Sequence, residues 1–214
     1  MTRLIVIRHG QSKGNCGGFF TGSVNVELTD LGRRQAQLVA DFLKDYKIDK
    51  VYSSDLDRAY ETALPIAEPR GLTVEKVPGI REINGGKWEN MEYNGIGEKY
   101  GDDFNVWLTD FGKAVCTGGE SVAYLAERVG KAISKIVAEN PDRTVAVVCH
   151  GTPIRSLNCI WRGVDISEMQ NIPWAANASV SIAEYENADT LPEIVMYGYT
   201  DHLADSVTTL PGTV

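Results

Sequence analysis

The sequence predicts an α/β fold with parallel strands buried on both faces, and three observations carry that reading. Strand and helix patterns alternate along the chain. Two short β-branched runs, Leu4-Ile5-Val6-Ile7 and Val145-Ala146-Val147-Val148, are long enough for strands and too short for helices. Each then runs into His-Gly, through Arg8-His9-Gly10 in the first and Cys149-His150-Gly151 in the second. Side by side, such strands lie about 4.8 Å apart and deliver both histidines to one carboxyl edge, where open α/β sheets bind ligands. Either histidine alone reads as a polar strand end. With only three in the chain, two in the same setting mark a site.

The remaining elements follow in order. Gly10 to Thr29 is a loop rich in Gly and Asn. Helical periodicity runs from Asp30 to about Tyr46, with Leu31, Ala36, Leu38, Val39, Phe42 and Leu43 on the apolar face. Val51-Tyr52 is a short strand leading into the helix-capping run Ser53-Ser54-Asp55. A helix extends from about Leu56 to Ala67 despite Pro65, and Thr73 to Val77 is a further strand. Residues 83–116 break the rhythm with Trp88, Tyr93, Tyr100, Phe104, Trp107 and Phe111 among Gly, Asn and acids, and read as a small lid insertion over one end of the sheet. A strong helix covers Ser121 to Glu139, and Thr152-Pro153 opens another, with Pro in the first turn where its missing N–H costs nothing. Residues 179–185 and 193–199 are late strands, followed by a tail.

A chain of 214 residues can bury about 70% of its unfolded surface, which supports one domain over 1–214. The net charge of −8 argues against nucleic acid and anionic membranes as partners. The apolar run before Arg8 is far shorter than a signal or membrane segment. Four cysteines (Cys16, Cys116, Cys149, Cys159) without CxxC spacing read as reduced thiols of a cytoplasmic protein. Oligomeric state is not legible.

Around the paired histidines the chemistry points to an anion. Arg8 offers a planar fork suited to phosphate or carboxylate oxygens, and Gly10 lets a ligand approach the main chain. Neighbouring cations favour the neutral imidazole of His9, as attack on phosphorus requires. Arg58 falls in the first turn of a helix, where a cation opposes the helix dipole; an anion held jointly by Arg58 and the helix N-terminus removes that conflict. Glu82 follows the third strand, where a loop carboxylate beside a bound phosphate can donate a proton to a leaving oxygen.

These residues form an ordered set. Arg8-His9-Gly10-Gln11-Ser12 with Asn15, Thr21-Gly22, Leu28-Thr29-Asp30-Leu31-Gly32 with Gln35-Ala36, and Ser53-Ser54-Asp55-Leu56-Asp57-Arg58-Ala59 come first. Arg81-Glu82, Trp88-Glu89, Gly119-Glu120-Ser121 and Val148-Cys149-His150-Gly151 follow. The set resembles the histidine phosphatase (phosphoglycerate mutase-like) superfamily over most of the chain. The resemblance implies a doubly wound, mostly parallel sheet between helices and a phosphomonoesterase acting on small phosphorylated metabolites without metal or cofactor. It further implies His9 as the nucleophile that becomes phosphohistidine and Glu82 as general acid, then base. Arg8, Arg58 and a protonated His150 would bind phosphoryl oxygens, with polar contacts from Asn15, Gly22 and Gly151.

Some positions depart from the family pattern. Mutases of the superfamily carry an arginine pair and further basic residues after the glutamate, whereas residues 83–116 hold three lysines against six acids and no arginine. That charge disfavours a carboxylate-bearing substrate and the alternative of phosphoglycerate mutase-type transfer. The lid aromatics are read as packing the lid itself. Ser23 stands where a Trp is common, and Asn90 where a Gly is usual, a change Asn tolerates because it accepts left-handed backbone angles. Two rival readings remain: a metallohydrolase, which lacks further ligands and has arginines that repel a cation, and a non-catalytic binding protein on the same fold.

Overall fold

In the computed structural model, which describes residues 1–204 and 208–209, the strands are β1 (Thr2–Arg8), β2 (Lys50–Ser53), β3 (Val74–Lys76), β4 (Thr144–Cys149), β5 (Val180–Tyr185) and β6 (Glu193–Tyr199). They form one sheet in the order β3-β2-β4-β1-β5-β6. The first four in that order run parallel, while β5 and β6 are antiparallel to their neighbours. The helices are α1 (Lys13–Cys16), α2 (Asp30–Phe42), α3 (Asp57–Ala67), α4 (Tyr93–Lys99), α5 (Gly101–Thr109), α6 (Val122–Ala138) and α7 (Gly151–Arg162). Much of the expected C-terminal tail lies outside the described residues.

The central pair explains the two-sided winding. Leu4 and Val6 of β1, with Val145 and Val147 of β4, pack into one apolar cluster with Leu125, Val129 and Ile133 of α6 and Leu157 of α7. The intervening Ile5, Ile7, Ala146 and Val148 turn to the other face and pack with Val39 of α2 and Ala63 and Ile66 of α3. Alternate residues of a strand point to opposite faces, so only a strand covered on both sides can be apolar throughout. Each fully buried Val, Leu or Ile contributes about 1.5–3 kcal/mol relative to exposure.

Two boundaries differ from the sequence expectation. The helix from Asp30 ends at Phe42, because Leu43 leaves helical angles at ψ 1° and shares its N–H between Val39 and Asp41 carbonyls. The Gly-rich loop contains the single turn α1, which Asn15 steadies by accepting from Ser12 N and Oγ at 2.9 and 3.0 Å. The insertion at 83–116 contains α4 and α5, and its Trp88, Phe104 and Phe111 join the same apolar cluster as the strands. It is therefore part of the core.

One close approach sets the depth of the site edge. A Cβ on Gly10 would lie 2.4 Å from the Gly32 carbonyl oxygen, and one on Gly32 would lie 2.0 Å from the Gln11 oxygen. The start of α2 thus rests on the backbone just after His9, pinned further by Gln11 N–H donating to Gln35 Oε1 at 2.7 Å. We expect Gly32→Ala to lower stability by about 1–3 kcal/mol through overpacking. Gly101→Ala, where a Cβ meets nothing within 4 Å, should be neutral or mildly stabilising. Urea midpoints of both variants check the contrast.

Candidate active site

Arg8 of β1 and Cys149 of β4 are register partners, so the next residue of each strand leaves the sheet at one edge. The rings of His9 and His150 meet there edge to face, centroids 5.1 Å apart and planes at 62°. Ser54 N–H donates to the Val148 carbonyl at 2.9 Å, bringing the end of β2, and with it Arg58 on α3, to that edge. Seven of the eight sequence-predicted residues, Arg8, His9, Asn15, Gly22, Arg58, Glu82 and Gly151, line a single cavity of about 660 Å³. His150 is fully buried beside His9 and is not part of the cavity wall.

His9 has a defined tautomer. Its Nδ1 lies 2.6 Å from the Gly10 carbonyl oxygen, which can only accept, so Nδ1 carries the hydrogen and Nε2 the lone pair. Burial first, then the charges of Arg58 and Arg8, push its pKa well below the usual histidine value. His150 is lowered in the same way, by burial and then by Arg58, His9 and Arg8. The free site thus holds His150 neutral, with one N–H to donate, whereas the expectation of a protonated His150 concerns the phosphate-bound site.

The two arginines are 5% and 2% exposed. Arg8 donates from Nη1 to the Ala175 carbonyl at 2.6 Å, and its Nε has no partner among the described residues. Arg58 donates to the carbonyls of Val24 and Gly22, each at 2.8 Å. Burial lowers both pKa values to about 10, so both stay charged near neutral pH. Carbonyl partners satisfy hydrogen bonds without cancelling charge, so the cavity floor holds two buried cations that Glu82 offsets only from a distance.

Glu82 enters from the segment after β3, its Oε1 accepting from Ile83 N–H at 2.8 Å and its Oε2 from Thr152 N–H at 3.2 Å. Arg128 of α6 holds that segment's backbone, donating to the carbonyls of Gly79, Arg81 and Glu82 at 2.9–3.0 Å while pairing with Glu120 at 2.9 Å. Asn15 uses Oδ1 on Ser12 and Asn177, leaving its amide nitrogen for the cavity. Gly22 has φ +50°, and a Cβ there would lie 2.8 Å from Glu89 and 2.9 Å from the Ile83 carbonyl. Gly151 starts α7 against Trp174, whose ring a Cβ would meet at 3.1 Å.

Sequence reasoning missed three contributors. Thr152 lines the cavity and holds Glu82 through its N–H; its place at a helix start behind His-Gly was a usable signal. Asn177 donates to the His9 carbonyl at 3.1 Å and to Asn15 at 3.2 Å, and Trp174 forms cavity wall. Both lie in an aperiodic stretch that carries no pattern to read. His202 lies elsewhere, stacked on Phe42 at 4.9 Å, with Nε2 3.0 Å from the Ala178 carbonyl oxygen.

The buried neutral histidines make stability pH-dependent. Unfolded histidines protonate near pH 6.5, whereas His9 and His150 resist protonation until well below that. Between those values the unfolded chain binds more protons, so stability falls as pH drops below about 6.5, by up to about 1.4 kcal/mol per pH unit per histidine. Urea midpoints at pH 7.5 and 5.5 should therefore show a loss on acidification that is smaller in His150→Asn than in the parent.

The chain is similar to known proteins over nearly its whole length. The family model of the histidine phosphatase superfamily (branch 1) matches residues 4–197. Phosphoserine phosphatase 1 of Hydrogenobacter thermophilus is 36% identical over 205 residues, 96% of each chain. Glucosyl-3-phosphoglycerate phosphatase of Mycobacterium tuberculosis is 32% identical over 185 residues, 83% of this chain and 82% of its own. The structure of Bacillus stearothermophilus YhfR superposes with a TM-score of 0.89 over 94% of this chain and 99% of that one; at 24% identity this is a likeness of fold. With the matched model spanning both His-Gly turns and every residue of the cavity floor, the chain belongs to branch 1 of the histidine phosphatase superfamily.

Proposed function

We propose that the protein is a phosphomonoesterase that hydrolyses small phosphorylated metabolites through a phosphohistidine on His9. The observation that carries this reading is a neutral imidazole, its lone pair on Nε2, beside two buried guanidiniums that lack carboxylate partners. Relatives at 36% and 32% identity that are named as phosphatases support it.

In this reading Nε2 of His9 attacks phosphorus, the bond to the ester oxygen breaks, and Glu82 delivers a proton to the departing alkoxide. Glu82 then takes a proton from water as that water attacks phosphorus, and the P–N bond breaks to free His9 and phosphate. Arg8 and Arg58 stabilise the charge on the phosphoryl oxygens, with His150 donating its one N–H. Asn15 contributes through its amide, Gly22 and Gly151 through their backbones. Mutase-type transfer is disfavoured because, among the described residues, the cations that line the cavity are Arg8 and Arg58, both at the phosphate end. Among the described residues no helix is long and apolar enough to cross a membrane. We assign the enzyme to the cytoplasm, where its four free thiols stay reduced.

Rapid quench with ³²P-labelled substrate and peptide mapping tests the roles. His9→Ala should form no acid-labile phosphoenzyme and show almost no turnover. Arg58→Ala should still label His9, at a rate lower by roughly 10²–10³. Label on Ser12, Cys16 or His150, or normal turnover by His9→Ala, overturns the mechanism. Because the arginines supply the cationic charge, turnover should persist after dialysis against EDTA; loss on EDTA and recovery with Zn²⁺ or Mg²⁺ points to a metallohydrolase.

A further inference from the structure

The cavity is far larger than a phosphoryl group, holding about twenty water volumes at ~30 Å³ each. What fills the space above the arginines is decided by the wall. Tyr93, Phe20, Trp107, Phe111 and Trp174 form an unbroken chain of rings, with successive centroids 6.2, 5.2, 4.4 and 5.5 Å apart. All but Phe111 line the cavity, and Phe19, 41% exposed, lines it too.

This belt is held in place before any ligand arrives. Arg155 of α7 lies 4.2 Å over the Trp174 ring and 4.6 Å over Phe111, and donates to the Ile172 carbonyl at 3.0 Å. Tyr197 donates to the Pro173 carbonyl at 2.9 Å, and Arg8 to that of Ala175 at 2.6 Å. The strap carrying Trp174 is thus tied on both sides of that residue. A preformed apolar wall recovers binding energy that a mobile one spends on ordering.

The charges along the wall point the same way. Among the described residues, the charged group lining the cavity besides the two deep arginines is Glu82, and none of Lys87, Lys99 and Lys113 reaches it. A second anionic group on a substrate would lie against ring surfaces beyond the two deep arginines, and Arg155, stacked on Trp174 and Phe111, does not line the cavity to offset its desolvation.

We infer that the organic portion of the substrate is uncharged and apolar, with a flat ring preferred, and that it packs against the aromatic belt while the phosphate sits on Arg8 and Arg58. This rests on the phosphomonoesterase reading and narrows it. It also separates this chain from what the name of its 36%-identical relative says that relative hydrolyses.

The test compares kcat/KM for benzyl phosphate, O-phosphoserine and 3-phosphoglycerate, all alkyl esters, in the parent, in Phe19→Ser and in Trp174→Ala. Benzyl phosphate should exceed both charged substrates by about tenfold or more. Phe19→Ser should raise KM for benzyl phosphate roughly threefold while kcat changes little, as loss of one ring contact predicts. Equal or better turnover of phosphoserine or 3-phosphoglycerate overturns the inference and leaves the phosphatase reading standing. An unchanged KM for benzyl phosphate in both Phe19→Ser and Trp174→Ala also overturns it, because neither the outer wall nor the Trp174 end of the belt then touches the substrate. If none of the three esters is hydrolysed and none labels His9, the phosphatase reading fails and the inference falls with it.

Discussion

Two guanidinium groups buried beside two imidazoles, with no carboxylate bonded to either, are the constraint around which this molecule is arranged. A charge taken out of water is costly unless something nearby compensates for it. Here the compensation is incomplete: Arg8 rests on the Ala175 carbonyl and Arg58 on those of Gly22 and Val24. The partial negative charge of three carbonyls tolerates the cations without neutralising them. In the proposed function a dianionic phosphate would complete the set, its charge meeting the two cations that the carbonyls leave unneutralised. The same two charges, added to burial, keep His9 neutral and therefore able to act as a nucleophile.

Several segments exist in their observed form because the arginines need them. The loop carrying Gly22 takes a left-handed turn that brings its carbonyl to Arg58, and a side chain there would strike Glu89 and the Ile83 carbonyl. The strap at 172–175 brings Ala175 to Arg8 and, two residues on, Asn177 to the His9 carbonyl. Opposite, Arg128 gathers three consecutive-turn carbonyls of the segment that ends in Glu82, and its own charge is met by Glu120. The site therefore contains two kinds of arginine: Arg128, paired with Glu120, and Arg8 and Arg58, which line the cavity and bond to carbonyls among the described residues.

How much of this was legible follows from what each feature depends on. β1 and β4 were readable because strands buried on both faces must be continuously apolar, and the His-Gly at each end marked their shared edge. The helix conflict at Arg58 was readable because a cation in a first turn opposes a dipole whatever the tertiary structure. The neutral state of His150 was not, since it follows from complete burial, and burial of one side chain is a property of the packed molecule. Trp174 was illegible for a related reason: the strap has no periodicity, and its position is fixed by Arg155, Tyr197 and Arg8 from distant parts of the chain. The lid aromatics were half legible. They were read as packing the lid itself, whereas Trp88, Phe104 and Phe111 join the main core and Tyr93 and Trp107 also line the cavity.

The two departures from the family pattern bear on each other and on the arginines. Asn90 adopts φ +63°, the left-handed angle a glycine would supply, and so preserves the turn just after Glu89. That turn presents Glu89 Oε1 to three donors: Ser23 N–H at 2.9 Å, Ser23 Oγ at 2.7 Å and Gly85 N–H at 3.0 Å. Ser23 thus replaces a bulky ring with a polar joint between the Gly22 loop and the first turn of the lid. Since Gly22 and Val24 on either side of Ser23 hold Arg58, the joint sets where that guanidinium points. Glu82 and, more weakly, Glu89 favour the charged form of Arg58 from a distance, without a direct bond that would neutralise it. An acidic lid is consequently compatible with the proposed anion site: its carboxylate steadies the loop that aims the arginine, and the arginine's charge would remain available to a phosphate.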